Sequence, residues 1–341
     1  MKEFSRKIPG ILLTLLIATP AWFLGRQFPI IGGPVIAIVA GMLIANVFPG
    51  VMDSQKINLQ DGVRFTSKKL LQYSIILLGF EMNLFNVVKV GSQSLLIMLF
   101  TLTAAFLVAF FVGRLLKLPG DTTTLIGVGT SICGGSAIAA TAPVIRAKDE
   151  DVTQAISTIF LFNIVAVFLF PALGRLIGLS DTGFGIWAGT AINDTSSVVA
   201  AGAAWSIAAG NNTALEIATI VKLTRTLMIV PITLFLSIYT MRKAKSSSKG
   251  NFKFTAIFPW FVIFFIVAAI INTFAGLPGF VSGDLVLIGK FVIVMAMAAI
   301  GLNTRLKVLL ANGIKPIVLG LLCWFAVAVV SLLAQNVIGY Y

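Results

Sequence analysis

Apolar residues run through this chain in long unbroken blocks, not along one helical face or at alternate positions. The blocks are Ile8–Gly25, Pro34–Phe48, Leu70–Phe85, Leu95–Leu116, Val152–Leu173, Ala214–Tyr239, Ala256–Phe274, Leu285–Leu302 and Pro316–Ile338. A helix that crosses a bilayer needs about 20 mainly apolar residues, so the pattern predicts nine spanning helices. Polar residues gather in the short connections between blocks. Two further stretches, Thr124–Ile145 and Phe184–Ile207, have spanning length but are built from Gly, Ala, Ser and Thr instead of Leu and Phe. They are expected to be broken or re-entrant, and the spans number eleven if both cross. The expected fold is therefore an all-α polytopic membrane bundle, one integral domain over residues 1–341. The basic stretch 241–253 is expected to be a cytoplasmic linker between two helix bundles.

Composition agrees with that pattern. Of the 341 residues, 58% are hydrophobic and 11% charged, against roughly 25% charged in an ordinary soluble domain. Mean hydropathy is +1.02, too high for one buried core inside a wet surface. Ile8–Ala18, after Lys2, Arg6 and Lys7, has the outline of a signal peptide. The apolar run continues to Phe28 without a cleavage site, so a spanning helix is the better reading.

The net charge of +13 does not mark a nucleic-acid binder, because the cations lie in loops between apolar runs. That is what the positive-inside bias produces. With the N-terminus in the cytoplasm and all eleven segments crossing, only Arg26, Lys89, Arg146 and Lys148 among the loop cations fall outside. With both unusual segments re-entrant, Arg146 and Lys148 move inside and Arg175 moves out. Either way the C-terminus ends outside, and the location is an inner or plasma membrane.

Two internal similarities suggest inverted repeats, a trait of secondary transporters. Gly79-Phe80-Glu81-Met82-Asn83-Leu84 matches Gly301-Leu302-Asn303-Thr304-Arg305-Leu306, and Gly91 then falls on Gly313. Gly129-Thr130-Ser131-Ile132 matches Gly189-Thr190-Ala191-Ile192, and at that spacing Ser136 meets Ser196 and Pro171 meets Pro231.

The residues able to carry chemistry sit in or near the two unusual segments. The absence of histidine excludes a His-ligated metal, a Ser-His-Asp triad and a His proton relay. No cofactor is expected. Cys133 and Cys323 lie in apolar stretches and do not form a disulfide framework. Gly134-Gly135 in mid-segment weakens a helix. A half-helix that starts there aims its N–H groups and positive dipole end at the break. Cys133, Gly134, Gly135 and Ser136 are thus a candidate anion pocket. The structural alternative is close helix packing through small residues.

In the second segment Asp194 falls near mid-membrane, where a charge costs about 2.5–3.5 kcal/mol on insertion scales. It is a candidate for binding a coupling proton or sodium ion, with Asn193, Thr195 and Ser196 beside it as substrate ligands. Lys222 and Arg225, three residues apart, share a helix face. They repel each other unless Asp194, Glu216 or an anionic substrate neutralises them. Lys290 and Glu81 lie near helix ends, where snorkelling and an interfacial position are the expectation.

Several stretches resemble the YeiH-type family of bacterial membrane proteins, which carries the label of sulfate exporters. They are 71–80, Gly129-Thr130-Ser131-Ile132-Cys133-Gly134, Phe170-Pro171-Ala172-Leu173, Val198-Val199-Ala200-Ala201-Gly202, Val221-Lys222-Leu223-Thr224-Arg225 and Ala298-Ala299-Ile300-Gly301-Leu302. The resemblance implies a multi-pass transporter-like protein and an inorganic sulfur anion. It also implies His-Glu where this chain has Asn193-Asp194, and a basic residue at Glu81, so a shared proton-coupling scheme does not carry over directly.

Three functions are in play. The first is a secondary transporter of a small anion, sulfate or a related sulfur oxyanion, working by alternating access. The second is an anion channel, and a remote third is an intramembrane enzyme pairing Asp194 with Cys133 or a serine. Without a recognisable catalytic spacing, the expectation is a protein that is not an enzyme.

Overall fold

The computed structural model describes residues 6–28, 33–48, 50, 58–243, 260–275, 277–305 and 313–339, and the chain is helical throughout these. Most of the linker, the first residues of the Ala256–Phe274 stretch and Leu306 in the first similarity lie outside the described residues.

The helices are α1 (Ile8–Gln27), α2 (Gly33–Val47), α3 (Gln60–Phe65), α4 (Leu71–Leu78), α5 (Leu84–Leu115), α6 (Gly120–Ser131), α7 (Gly135–Ile145) and α8 (Asp149–Leu176). They continue as α9 (Asp181–Ala191), α10 (Thr195–Ala209), α11 (Thr213–Leu227), α12 (Ile229–Lys243), α13 (Trp260–Phe274), α14 (Gly279–Leu302) and α15 (Ile314–Ile338). A π turn at Thr66–Leu70 joins α3 to α4, and a 3-10 turn at Gly79–Glu81 extends α4, so 60–81 forms one rod.

Six of the described helices are long and apolar enough to cross a membrane, namely Ile8–Gln27, Leu84–Leu115, Glu150–Leu176, Thr213–Leu236, Gly279–Leu302 and Ile314–Ile338. The described parts of the remaining three apolar stretches are mainly helical. Among the described residues α2 and α13 have 15 residues each, and the rod contains the π turn.

Packing sorts the helices into two bundles, and the split does not fall at the basic linker. The first bundle combines α1, α2, the rod, α13 and α14. Its tightest contact is between α2 and α14, where a Cβ on Gly41 would collide with the Ala298 carbonyl and one on Gly301 with the Ile38 carbonyl. The second bundle holds α5 to α12 together with α15, which returns along α5. The bundles meet where α10 touches α2 and α14, and where α13 touches α5.

The two unusual segments are helical hairpins, each folded back at its break. In the first, α6 and α7, Thr122 at the start of α6 donates a short hydrogen bond to Asp151 at the start of α8. Helix α8 itself begins directly after α7 ends, so both open ends of the hairpin lie together. Gly129 packs on Ile138 across the bend. In the second, α9 and α10, Trp205 Nε1 donates to Asp181 Oδ1 at 2.7 Å and stacks on Phe184 at 4.1 Å between ring centroids. The first hairpin opens at the N-terminal end of α8. The second opens at its C-terminal end, where Gly174 fits against Phe184 and Trp205. The two closed tips therefore meet from opposite ends of α8. Residues paired by the second internal similarity hold equivalent places: Gly129 and Gly189 end the first arms, and Ser136 and Ser196 begin the second.

Candidate functional site

Each hairpin tip is a break with a specific local cause. Helix α6 stops at Ser131, and Ile132 leaves helical space at φ −116°, ψ −91°. Gly134 takes φ +69°, ψ −133°, a conformation essentially limited to glycine. Its Cα also faces the other tip, since a Cβ there would stand 3.2 Å from Asp194 Cβ. In the second hairpin, Ile192 and Asp194 are extended, and α10 restarts at Thr195. The Asp194 carboxylate caps that restart. It accepts from Ser196 N at 3.0 Å and takes a short bond from Ser196 Oγ, as Asp does at a helix N-cap.

Helix α11 runs between the arms of the second hairpin. Gly185 and Gly189 of α9 fit against Ile217 and Val221, and Gly202 of α10 fits against Leu215. This places Lys222 and Arg225, both fully buried, beside the two tips. Lys222 Nζ donates to Ile132 O at 2.8 Å and to Ile192 O at 2.9 Å, so one ammonium holds both breaks. Arg225 donates from Nε to Ser131 O and from Nη2 to Thr130 O, both at 2.5 Å. These carbonyls belong to the last turns of α6 and α9, which are orphaned and carry the negative end of the helix dipole.

The sequence left three candidate counter-ions for this pair: Asp194, Glu216 or a bound anion. Among the described residues neither cation forms an ion pair with Asp194 or Glu216. Backbone carbonyls take that role.

The anionic and cationic ends of the site are thus separated by helix polarity. C-terminal ends of α6 and α9 face Lys222 and Arg225. N-terminal ends of α7 and α10 face Asp194. Gly134, at the N-cap of α7, brings no side-chain cap of its own. Ser136 in the first turn of α7 is exposed, and Gly135, Asp194 and Thr195 are half-buried. Asn193 is buried with neither amide atom hydrogen-bonded. Cys133 is buried in one apolar cluster with Met98, Leu102 and Ile229.

One residue escaped the sequence reading. Asn163, in the middle of α8, accepts from Asp194 N at 3.2 Å and is buried, while its Nδ2 has no protein partner. Arg225 Nη1 is likewise unpartnered. The signal was one amide inside the apolar run Phe162-Asn163-Ile164.

Access to the tips is uneven. Every residue of α9 from Gly183 to Ala191, and of α10 from Ser196 to Ser206, is buried. Along α7, by contrast, Ser136, Ala139 and Pro143 are exposed on one face.

Paired helical hairpins, with their breaks meeting around buried cations inside an apolar bundle, define a polytopic helical membrane protein with a polar centre. The family described as "Conserved hypothetical protein 698" matches residues 9–320. A UPF0324 membrane protein of Streptococcus pyogenes serotype M18 is 53% identical over 99% of both chains. Others, from Streptococcus agalactiae serotype V and Fusobacterium nucleatum subsp. nucleatum, are 49% and 46% identical, each over at least 98% of this chain and 99% of their own. The chain belongs to the UPF0324 membrane protein family, as the motif resemblance implied.

Proposed function

We propose that this protein is a secondary transporter of a small anion, working by alternating access. The carrying observation is that Lys222 joins the two hairpin tips while the N-terminal ends of α7 and α10 meet at Asp194. Broken helices whose half-helix ends converge at mid-membrane are how many secondary transporters bind substrate and coupling ion.

In this reading the nine apolar stretches cross, the two hairpins are re-entrant from opposite sides, and the repeat is inverted. The N-terminus is cytoplasmic. By helix order, Lys7, Arg64, Lys68, Lys69, Arg114, Lys117, Arg146, Lys148, Arg305 and Lys315 flank helix ends on its side of the bundle, and Arg26, Lys89 and Arg175 flank the opposite ends. That distribution supports the assignment.

The electrostatics suggest how coupling arises. Asp194 is the resident anion at the two N-terminal dipole ends. When a proton or sodium ion cancels its charge, those ends, Ser136 and Thr195 become free to bind a substrate anion. Asn193, Asn163 Nδ2 and Arg225 Nη1 supply further hydrogen-bonding groups. A small oxyanion suits these donors, and sulfate or a related sulfur oxyanion is the substrate the family resemblance implies.

The test is uptake of labelled sulfate and sulfite into proteoliposomes across an imposed pH or sodium gradient. Saturable, gradient-dependent flux that falls at least tenfold in Lys222→Ala and Arg225→Ala is the expected result (about 1.4 kcal/mol or more). Unchanged saturable transport in both variants would remove the anion site. Conductance without saturation would favour a channel instead.

A further inference from the structure

The second end of the bundle, opposite the N-terminus, carries a polar cluster that the binding site does not use. Asn212, at the N-cap of α11, belongs to the hairpin bundle. Its Nδ2 donates to Glu81 Oε1 at 2.5 Å, and its Oδ1 accepts from Lys290 Nζ at 2.9 Å. Glu81 ends the rod and Lys290 lies on α14, so both acceptor and donor come from the other bundle. Lys290 and Glu81 themselves stand 3.7 Å apart. Neither behaves as a simple interfacial charge. They bracket one amide, the anion on its N side and the cation on its O side. Glu216, a turn further along α11, is half-buried and interacts electrostatically with the same pair.

The surroundings are layered. Outside the cluster lies a recess of about 250 Å³ lined by Glu81, Gly279, Ser282, Gly283, Val286, Leu287 and Lys290. Inside it, Leu215, Val199, Ala203 and Val294 are buried in one apolar cluster shared by both bundles. Beyond that layer are the hairpin tips. The recess, the charged clasp and, about one turn further along α11 at Leu215 and along α14 at Val294, the buried apolar cluster thus adjoin one another. At the opposite end, Ser136, Ala139 and Pro143 leave one face of α7 uncovered.

We propose that Glu81, Asn212 and Lys290 form the latch of a gate that closes the site towards the side opposite the N-terminus. Opening this side requires the bundles to part, and parting breaks both bonds to Asn212. The structure is the state closed on this side. The proposal rests on the transporter reading for its purpose, but the latch is measurable without any substrate.

The test places a reporter in the dry layer. Ala203→Cys is introduced with Cys133→Ala and Cys323→Ala, and intact cells are treated with a membrane-impermeant maleimide. With the latch intact, labelling is slow. Asn212→Ala, which removes both charge-assisted hydrogen bonds, or Lys290→Met, which removes one, is expected to speed it about fivefold or more by shifting an opening equilibrium. The exchange Glu81→Lys with Lys290→Glu is expected to restore slow labelling, because the Asn212 amide can turn over and serve both charges.

A Ser282→Cys reporter in the recess, in the same cysteine-free background, checks folding. Its labelling is expected to be the same in every latch background. Labelling of Ala203→Cys that is unchanged by the single variants, or as fast in the exchange as in the singles, overturns the latch. Inactivity in the flux assay with latch-dependent labelling would overturn the transporter reading alone.

Discussion

Replacing Lys222 by Met tests whether the ammonium is a structural clasp between the hairpin tips. The substitution keeps most of the side-chain volume and removes both donors. Ile132 O and Ile192 O, at 2.8 and 2.9 Å from Nζ, are then left in a buried site. An unsatisfied buried polar group costs about 1–3 kcal/mol, so two cost roughly 2–6 kcal/mol. Against this stands relief from burying a charge, which makes some buried ionic groups replaceable by apolar ones at no loss. That relief is realised when all partners are replaced together. Here the carbonyls remain and cannot be mutated away, so the loss dominates. Purified protein in detergent, followed by intrinsic tryptophan fluorescence on heating, is expected to unfold several degrees lower. Lys89→Met, at an exposed position, serves as the control and should change stability by no more than about 0.5 kcal/mol. A Lys222→Met protein as stable as the parent would refute the clasp.

Three further outcomes follow from the same geometry. Asp194→Asn should keep the α10 cap and the melting temperature, whereas Asp194→Ala should lose about 1 kcal/mol; both should abolish gradient-driven flux, which separates the cap from the charge. Gly134→Ala, at φ +69° and facing Asp194, should cost about 1–3 kcal/mol, while Gly135→Ala, whose Cβ would meet only Phe160 at 3.6 Å, should be neutral or slightly stabilising in the same melting assay. Gly301→Val drives side-chain atoms into the Ile38 carbonyl with only backbone to yield, and membrane-inserted protein should fall to a small fraction of the parent by immunoblot.

The apolar blocks and both helix breaks were legible because they depend on local chemistry. Gly134-Gly135 and Asn193-Asp194 interrupt runs that otherwise favour helix, and the chain breaks there. Whether each segment crossed or turned back was not legible. That choice is fixed by contacts such as Thr122 with Asp151 and Asp181 with Trp205, which no run of residues announces. How helices on either side of the linker pack together is not legible for the same reason. The linker is the most polar stretch, but α13 and α14 return to α2 and the rod through small-residue contacts at Gly41, Gly79 and Gly301. Lys290 and Glu81 look interfacial one at a time and become a clasp only when Asn212 arrives from α11. Lys222 and Arg225 were correctly singled out as buried cations. Their partners were not, because backbone carbonyls at broken helix ends have no side-chain signature.

The central claim is most directly tested by counterflow. Proteoliposomes loaded with unlabelled sulfate or sulfite are diluted into a trace of the labelled anion at neutral pH. Vesicles carrying the parent protein are expected to show transient, saturable accumulation of label, and so are vesicles with Asp194→Asn, because the neutral amide leaves the dipole ends free for the anion and exchange needs no coupling gradient. No accumulation with the parent for any small oxyanion supplied, or none with Asp194→Asn where the parent accumulates label, would contradict it.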